Sequence, residues 1–386
     1  MDRKRNRRSL HNALLSRWPS RLLRNSICIG LMKALMKWQK KNVALMAFAL
    51  LGYCGAQTTQ PQAPVAKLEP ASPPPLSQLQ QMIEKGDAAG ALNGLDALAS
   101  EKPVPAGVKL AQGKALYALN RLVDAEAAFA AAVAQDPHDA EAAQMGGLTL
   151  FRLGRPNDAI PLLSGAQAWT AQTRFDPSYV LALCYLDTRR FDDARHAFAA
   201  QYGFPPDSAS AYLLAARMMF RREYIPIAQQ FAQKAIEINP QIPLAHSLLG
   251  EIALAGNHMD IAIAEFEKER ATNPLEGGIY DRLGDAYSRA GEYQKALQAL
   301  QQAVILEPNV TAPFILLGKV LLREQSPSSA LMYLERAEAM DPGNFMTHSL
   351  LGQAYRALGR KEDAARENHT AETIQAASEP KLEKMQ

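Results

Sequence analysis

At 386 residues the chain is long enough for two or three ordinary domains or for one elongated array. Of its 42 Lys/Arg, 12 lie in residues 1–56 against one acid, leaving 30 bases against 38 acids in residues 57–386, so the body lacks the basic field that grips nucleic-acid phosphates. Three cysteines exclude a disulfide scaffold, and 48% hydrophobic residues with 7% aromatics favour close-packed helices over a β-sandwich.

The N-terminal region, residues 1–56, has the form of a basic leader followed by an export signal. Met36-Lys-Trp-Gln-Lys-Lys-Asn42 is short and basic, Val43 to Leu51 is an unbroken run of nine apolar residues, and Gly52-Tyr-Cys-Gly-Ala56 supplies small residues for cleavage. Nine residues are under half of the about 20 that a membrane-crossing helix needs, so a secretory signal is expected and a spanning anchor is not. Because the complete signal begins at Met36, translation is expected to start there or at Met32, downstream of the arginines from Arg3 to Arg24. Leu51-Gly-Tyr-Cys54 resembles a bacterial lipobox, in which Cys54 would carry a lipid and attach the protein to a membrane. Tyr53 is bulky where that motif wants a small residue. Cleavage near Ala56 is therefore the favoured route and lipidation the alternative. Residues 57–77 contain six prolines, including Pro73-Pro74-Pro75, and are expected to form a semi-rigid, polyproline-like spacer.

Beyond the spacer the chain is periodic. Helical segments alternate with short turns, and the alanine after each turn recurs as Ala125, Ala159, Ala194, Ala228, Ala262, Ala296, Ala330 and Ala364, every 34 residues with a single step of 35. Twelve residues before each stands Gly113, Gly147, Ala182, Ala216, Gly250, Gly284, Gly318 or Gly352, and twelve after, six units have Pro137, Pro206, Pro240, Pro274, Pro308 or Pro342. Where two helices of a hairpin cross most closely there is no room beyond a methyl group, so a Gly/Ala pair is expected to set the interaxial distance. Proline then ends the second helix and starts the turn into the next unit.

The stretch Tyr280-Asp-Arg-Leu283-Gly284-Asp-Ala-Tyr287, followed by Ala296, Leu300, Ala303 and Pro308, resembles the tetratricopeptide repeat, and the likeness recurs over residues 106–377 in eight units. A partial unit over 78–105, with Ala91, Leu95 and Pro103 in phase, precedes them, and 378–386 is a tail. The resemblance implies an all-α, right-handed solenoid of eight to nine antiparallel hairpins. Gly146 departs from the family's pattern in place of a leucine. Gln201 and Glu269 stand where a small residue is usual, and the unit with Pro161 and Trp169 runs one residue long, which predicts an irregularity over about 160–178.

In this family the first helix of each unit lines an inner groove, and the resemblance maps the groove to the fifth, ninth and twelfth unit positions. The N-terminal half of that face then carries Leu148, Phe151, Tyr179, Leu183, Leu186, Leu213 and Phe220, the last two flanking Arg217, and the C-terminal half carries Glu251, Asp281, Asp285, Lys319 and Arg356. Such a surface suits a peptide or helix of another protein with an apolar part and a polar part. The competing reading is that Leu148, Phe151, Leu183 and Phe220 only pack against adjacent hairpins. Leu213, Ser247, Asp281 and Ile315 occupy the sites where some family members hold a chain-terminal carboxylate with Lys, Asn and Arg, so no such clamp is expected.

No catalytic constellation, cofactor or metal is expected. Gly107 to Ala115 imitates a phosphate loop, but has one residue too many between its glycines and an alanine in place of the magnesium-binding hydroxyl. The histidines form no HExxH or HxxH pair, and His246 and His348, which share a column, are three units apart, too far for one ion. Cys184 with His196 imitates a nucleophile and base, yet its apolar helix predicts a buried, inert thiol. The expected function is a non-enzymatic scaffold or assembly factor of the bacterial cell envelope, periplasmic or secreted. The alternative is an outer-membrane lipoprotein of a secretion, pilus or polysaccharide-export machine.

Overall fold

The structure, a computed structural model, describes residues 74–168 and 176–378. The leader, the signal with Cys54 and most of the spacer lie outside the described residues. The described helices all belong to one unit, residues 71–386, and form nine antiparallel hairpins. In chain order the pairs are α1 (Leu76–Glu84) with α2 (Ala88–Ala99), α3 (Val108–Ala118) with α4 (Leu122–Gln135), and α5 (Ala140–Arg152) with α6 (Pro156–Ala168). Then come α7 (Ser178–Asp187) with α8 (Phe191–Tyr202), α9 (Ala209–Arg221) with α10 (Ile225–Ile238), and α11 (Ala245–Ala255) with α12 (Met259–Thr272). The last three are α13 (Gly277–Arg289) with α14 (Tyr293–Leu306), α15 (Thr311–Arg323) with α16 (Pro327–Met340), and α17 (Phe345–Ala357) with α18 (Lys361–Ser378). No strand occurs among the described residues. Two boundaries differ from expectation: the first hairpin is complete, and its first helix begins at Leu76, inside the expected spacer. Pro161 sits within α6 without ending it, and part of the irregularity expected over 160–178 falls on residues outside the description.

Each hairpin turns in the same way. The residue between its helices is left-handed in all nine, at Gly86, Asn120, Gly154, Arg189, Glu223, Asn257, Gly291, Gln325 and Gly359. The next amide donates back across the helix end, as from Arg121 to the Leu116 carbonyl at 2.9 Å and from Glu292 to that of Tyr287 at 2.9 Å, which satisfies carbonyls the helix leaves free. Between hairpins, prolines such as Pro137, Pro240 and Pro308 stand two residues past a helix end, where the chain leaves helical geometry.

The small columns are buried as the periodicity requires: Ala125, Ala159, Ala194, Ala228, Ala262, Ala296 and Ala330 have no exposed surface. The expected Gly/Ala approach is present, with the Ala159 carbonyl 3.3 Å from a Cβ at Gly147 and that of Ala364 3.5 Å from one at Gly352, but a larger side chain lies closer. A Cβ added at Gly284 would stand 2.4 Å from the Leu300 side chain, at Gly250 2.5 Å from the Phe266 ring, at Gly113 2.6 Å from the Phe129 ring, and at Gly318 2.4 Å from Leu334. In each case the partner is sixteen residues on. A large side chain of the second helix is thus the knob, and the first-helix glycine is the floor of its hole. Gly146, without a family leucine, is compensated by Leu162, whose Cδ1 would lie 3.3 Å from a Cβ there.

Consecutive helices pack along the whole described array, and first helices also pack on the first helices of neighbouring hairpins, least of all from α7 to α9. Second helices do not approach one another comparably. The row of first helices is therefore the close-spaced, inner side of an α-solenoid. At the splayed step, buried Arg195 of α8 bonds the Pro206 carbonyl, pairs with Asp207 at 2.8 Å and lies 4.2 Å over the Tyr212 ring, tying the connecting loop to both hairpins.

Candidate peptide-binding groove

The inner row begins with apolar side chains. Phe151, Leu183, Leu213 and Phe220 are half-buried and pack against one core cluster while keeping a face open, Leu148 is half-buried, and Tyr179 is exposed with its ring edge on Phe198, centroids 5.9 Å apart. Phe151, Leu183 and Phe220 thus pack against adjacent hairpins, as the competing reading has it, and still retain surface. Leu186 is different. It has no exposed surface and belongs to the core cluster, so it offers nothing to the groove. Ser247 is likewise fully buried.

The charged half is organised around one carboxylate. Glu251 of α11 takes Arg282 of α13 at 2.9 Å and Arg217 of α9 at 3.6 Å, so a single side chain links three successive first helices. Burial lowers the Arg217 pKa, with Glu251 acting against it. Asp285 faces Arg289 at 3.9 Å, Lys319 is half-buried, and Arg356 is exposed. Asp281, like Glu251 at its Oε1, has a shielded oxygen without a hydrogen bond. The Asp281 atom is Oδ1, and burial, reinforced by Asp285 and Glu307 and opposed by Arg282, pushes the Asp281 carboxyl up to about 6.

Two departures from the repeat have structural work. The N-terminus of α11 has no side-chain cap of its own, and Glu269, fully buried on α12, accepts the Leu244 amide at 2.7 Å and the Ser247 amide at 3.1 Å. Gln201 of α8 accepts the Tyr179 amide of α7 at 3.2 Å, next to the Ser178 amide that Asp176 accepts at 2.8 Å. Alanine stands in that column where α5 and α9 carry their own caps, Asp139 and Ser208, and also beside α13 and α15, which have no side-chain cap, so the two polar residues are additions to their own hairpins. Sequence reasoning missed both bonds, which depend on the register between the two helices of a hairpin.

The residues weighed for chemistry are apart or inert. Cys184 is fully buried and burial pushes its thiol up to about 12, so it is not a thiolate at neutral pH. His196 is exposed, with Nε2 3.0 Å from Arg195. His246 pairs with Glu265 at 2.7 Å. His348 pairs with Glu367 at 2.8 Å, and although its burial works against the proton, Glu367, the Pro342 carbonyl and Glu338 together raise its pKa.

Family models agree with this geometry. Tetratricopeptide-repeat models match residues 278–310, 83–140 and 315–368. The chain is a tetratricopeptide-repeat protein. A further model, described as anaphase-promoting complex, cyclosome, subunit 3, matches residues 115–201 of this repeat protein. Among curated proteins it is similar to the protein CTR9 homolog of Arabidopsis thaliana, 26% identical over 230 residues, which are 56% of this chain and 21% of that one. It is also similar to anaphase-promoting complex subunit 3 of Schizosaccharomyces pombe, 25% identical over 182 residues, 47% of this chain and 27% of the relative. The matches thus span between a fifth and about a quarter of those relatives' length. Among solved structures, the repeat protein YrrB, described as having an unusual peptide-binding site, is 24% identical with a TM-score of 0.41 over 47% of this chain and 94% of its own.

Proposed function

We propose that this tetratricopeptide-repeat protein is a non-enzymatic scaffold that holds a segment of another protein along the row of first helices, with apolar side chains of the segment against Phe151, Leu183, Leu213 and Phe220 and a lysine or arginine at Asp281. The observation that carries the reading is the Asp281 carboxylate. Its Oδ1 is shielded from solvent without a hydrogen bond, which opposes folding of the ionised acid, and no hydrogen bond among the described residues uses that oxygen. A cation from a partner would satisfy it in a site already low in water. Glu251 differs from Asp281 in that two guanidinium groups, those of Arg217 and Arg282, already balance its charge.

The basic segment, apolar run and small residues of Met36 to Ala56 support export to a bacterial cell envelope, with soluble release after cleavage near Ala56 and a lipid on Cys54 as the second route. Fatty-acid labelling of the expressed full chain separates the two routes, and retention of an uncleaved cytoplasmic form refutes both.

The groove is tested by selecting peptides on the full chain from a random display library. Selected sequences are expected to combine an apolar stretch with a lysine or arginine. The paired substitution Phe151→Asp and Leu183→Asp, and separately Asp281→Asn, are expected to remove binding while circular dichroism retains the helical signal. Equal binding by all three proteins refutes the site.

A further inference from the structure

At the C-terminal end three helices converge on one imidazole. His348 of α17 is 4% exposed, and its Nδ1 lies 2.8 Å from Glu367 Oε2 of α18 and 3.9 Å from Glu338 Oε1 of α16. The three donor atoms all lie within 4.8 Å of one another. On the other side of the ring, Nε2 is 2.8 Å from the Pro342 carbonyl oxygen. A carbonyl only accepts, so Nε2 carries the hydrogen. Nδ1 is then the atom presented to two carboxylates, and a positive charge must stand between them, either a proton or a metal ion.

The surroundings favour the metal ion. A ring whose N–H is held by a backbone carbonyl is fixed in tautomer and orientation, the arrangement that aims the other nitrogen of metal-binding histidines. A divalent ion balances the two carboxylates, whereas a proton leaves the group with net negative charge in a largely buried position. One nitrogen and two oxygens leave room for water in the remaining position, and such a mixed set suits zinc and its first-row neighbours better than magnesium or calcium. Arg366 comes within 3.4 Å of Glu367, but on Oε1, while its other nitrogen is engaged by Asp363 at 2.8 Å, so Oε2 remains directed at the histidine.

The molecule holds its own control. His246 and Glu265 have the same nineteen-residue separation, and Nδ1 meets Oε2 at 2.7 Å. There Lys268 takes the other carboxylate oxygen at 2.7 Å, where Thr370 stands in the last hairpin, and the column of Glu338 holds Ile236. A lysine has been added and a carboxylate removed, which leaves an ordinary His–Glu pair.

We propose that Glu338, His348 and Glu367 form a binding site for one divalent transition-metal ion of the zinc class, which joins α16, α17 and α18 at the end of the solenoid. The assignment stands independently of the groove.

The test is calorimetric titration of the chelator-treated full chain with zinc chloride, accompanied by cobalt(II) absorption spectra. One equivalent is expected to bind with release of a proton from Nδ1, a rise in the thermal midpoint, and visible cobalt bands. His348→Gln is expected to abolish binding. Glu338→Gln, at a partly exposed position that leaves the core untouched, is expected to weaken it by an order of magnitude or more, and His246→Gln to leave it unchanged. Absence of saturable zinc binding, or undiminished binding in either His348→Gln or Glu338→Gln, overturns the assignment.

Discussion

Substituting Gly284 should have opposite effects depending on what occupies position 300. In the native hairpin an alanine Cβ at position 284 would lie 2.4 Å from both Cγ and Cδ2 of Leu300, which has no exposed surface and lies inside the hairpin. The helix gains about 1 kcal/mol from replacing glycine by alanine, but overpacking costs about 1–3 kcal/mol, so Gly284→Ala alone should be neutral to destabilising by about 2 kcal/mol. Leu300→Ala alone should cost about 2–5 kcal/mol through lost burial and the cavity it leaves. In that background the clash is gone and the new methyl fills part of the cavity, so Gly284→Ala should become stabilising, with a coupling of about 1–3 kcal/mol. Ala216 and Ala232 already stand sixteen apart in the fifth hairpin, an instance of the double substitution within the chain. The assay is urea unfolding of the four proteins by far-UV circular dichroism. Hydrogen exchange over α13 and α14 would localise the effect, because repeat arrays need not unfold as one unit. Equal effects of Gly284→Ala in both backgrounds would refute the knob-and-hole account.

Two further predictions concern buried acids. Asp281 has a carboxyl pushed up to about 6 from an ordinary 3.8, so ionising it opposes folding above about pH 6, and the penalty disappears as pH falls through 6 toward 4. Asp281→Asn should therefore raise stability near neutral pH by at most about 3 kcal/mol and have little effect in acid; equal urea midpoints for both proteins at neutral pH would contradict the burial penalty. Glu269→Ala should destabilise by about 1–3 kcal/mol, because the Leu244 and Ser247 amides lose their acceptor. Column consensus points the other way, since Ala235, Ala303 and Ala337 occupy the equivalent positions, so a raised thermal midpoint would show that the capping role is absent.

The period and the buried alanines were legible in the sequence because they follow from sterics that admit few residue types. The knob was not, because Gly284 was matched with the alanine twelve residues on and not with Leu300, where the closer contact lies. The left-handed turn position was also hidden. Arg189, Glu223 and Gln325 adopt it alongside four glycines and two asparagines, since the back-donating amide and the two helices impose the conformation whatever the side chain. Among the groove residues, the stripe on the first helices could be read from spacing, but the burial of Leu186 depends on packing between hairpins that spacing does not reveal. The union of Glu251 with Arg217 and Arg282 needs the register between three hairpins, as does the approach of Glu338 and Glu367 to His348. A search for closely spaced histidines within one helix does not reach such contacts.

The glycine hole and its knob stand sixteen residues apart at Gly113, Gly147, Gly250, Gly284 and Gly318, and Ala182 and Phe198 keep the same separation beyond the 35-residue step. The surplus residue of that step therefore falls after Leu163 and before Ala182, where it disturbs no interlocked pair. Extra length inserted at such a junction leaves the grip of every hairpin on itself intact, whereas one residue added between a glycine and its knob would rotate the large side chain out of its seat. The array thus tolerates growth at its seams and forbids it within its units.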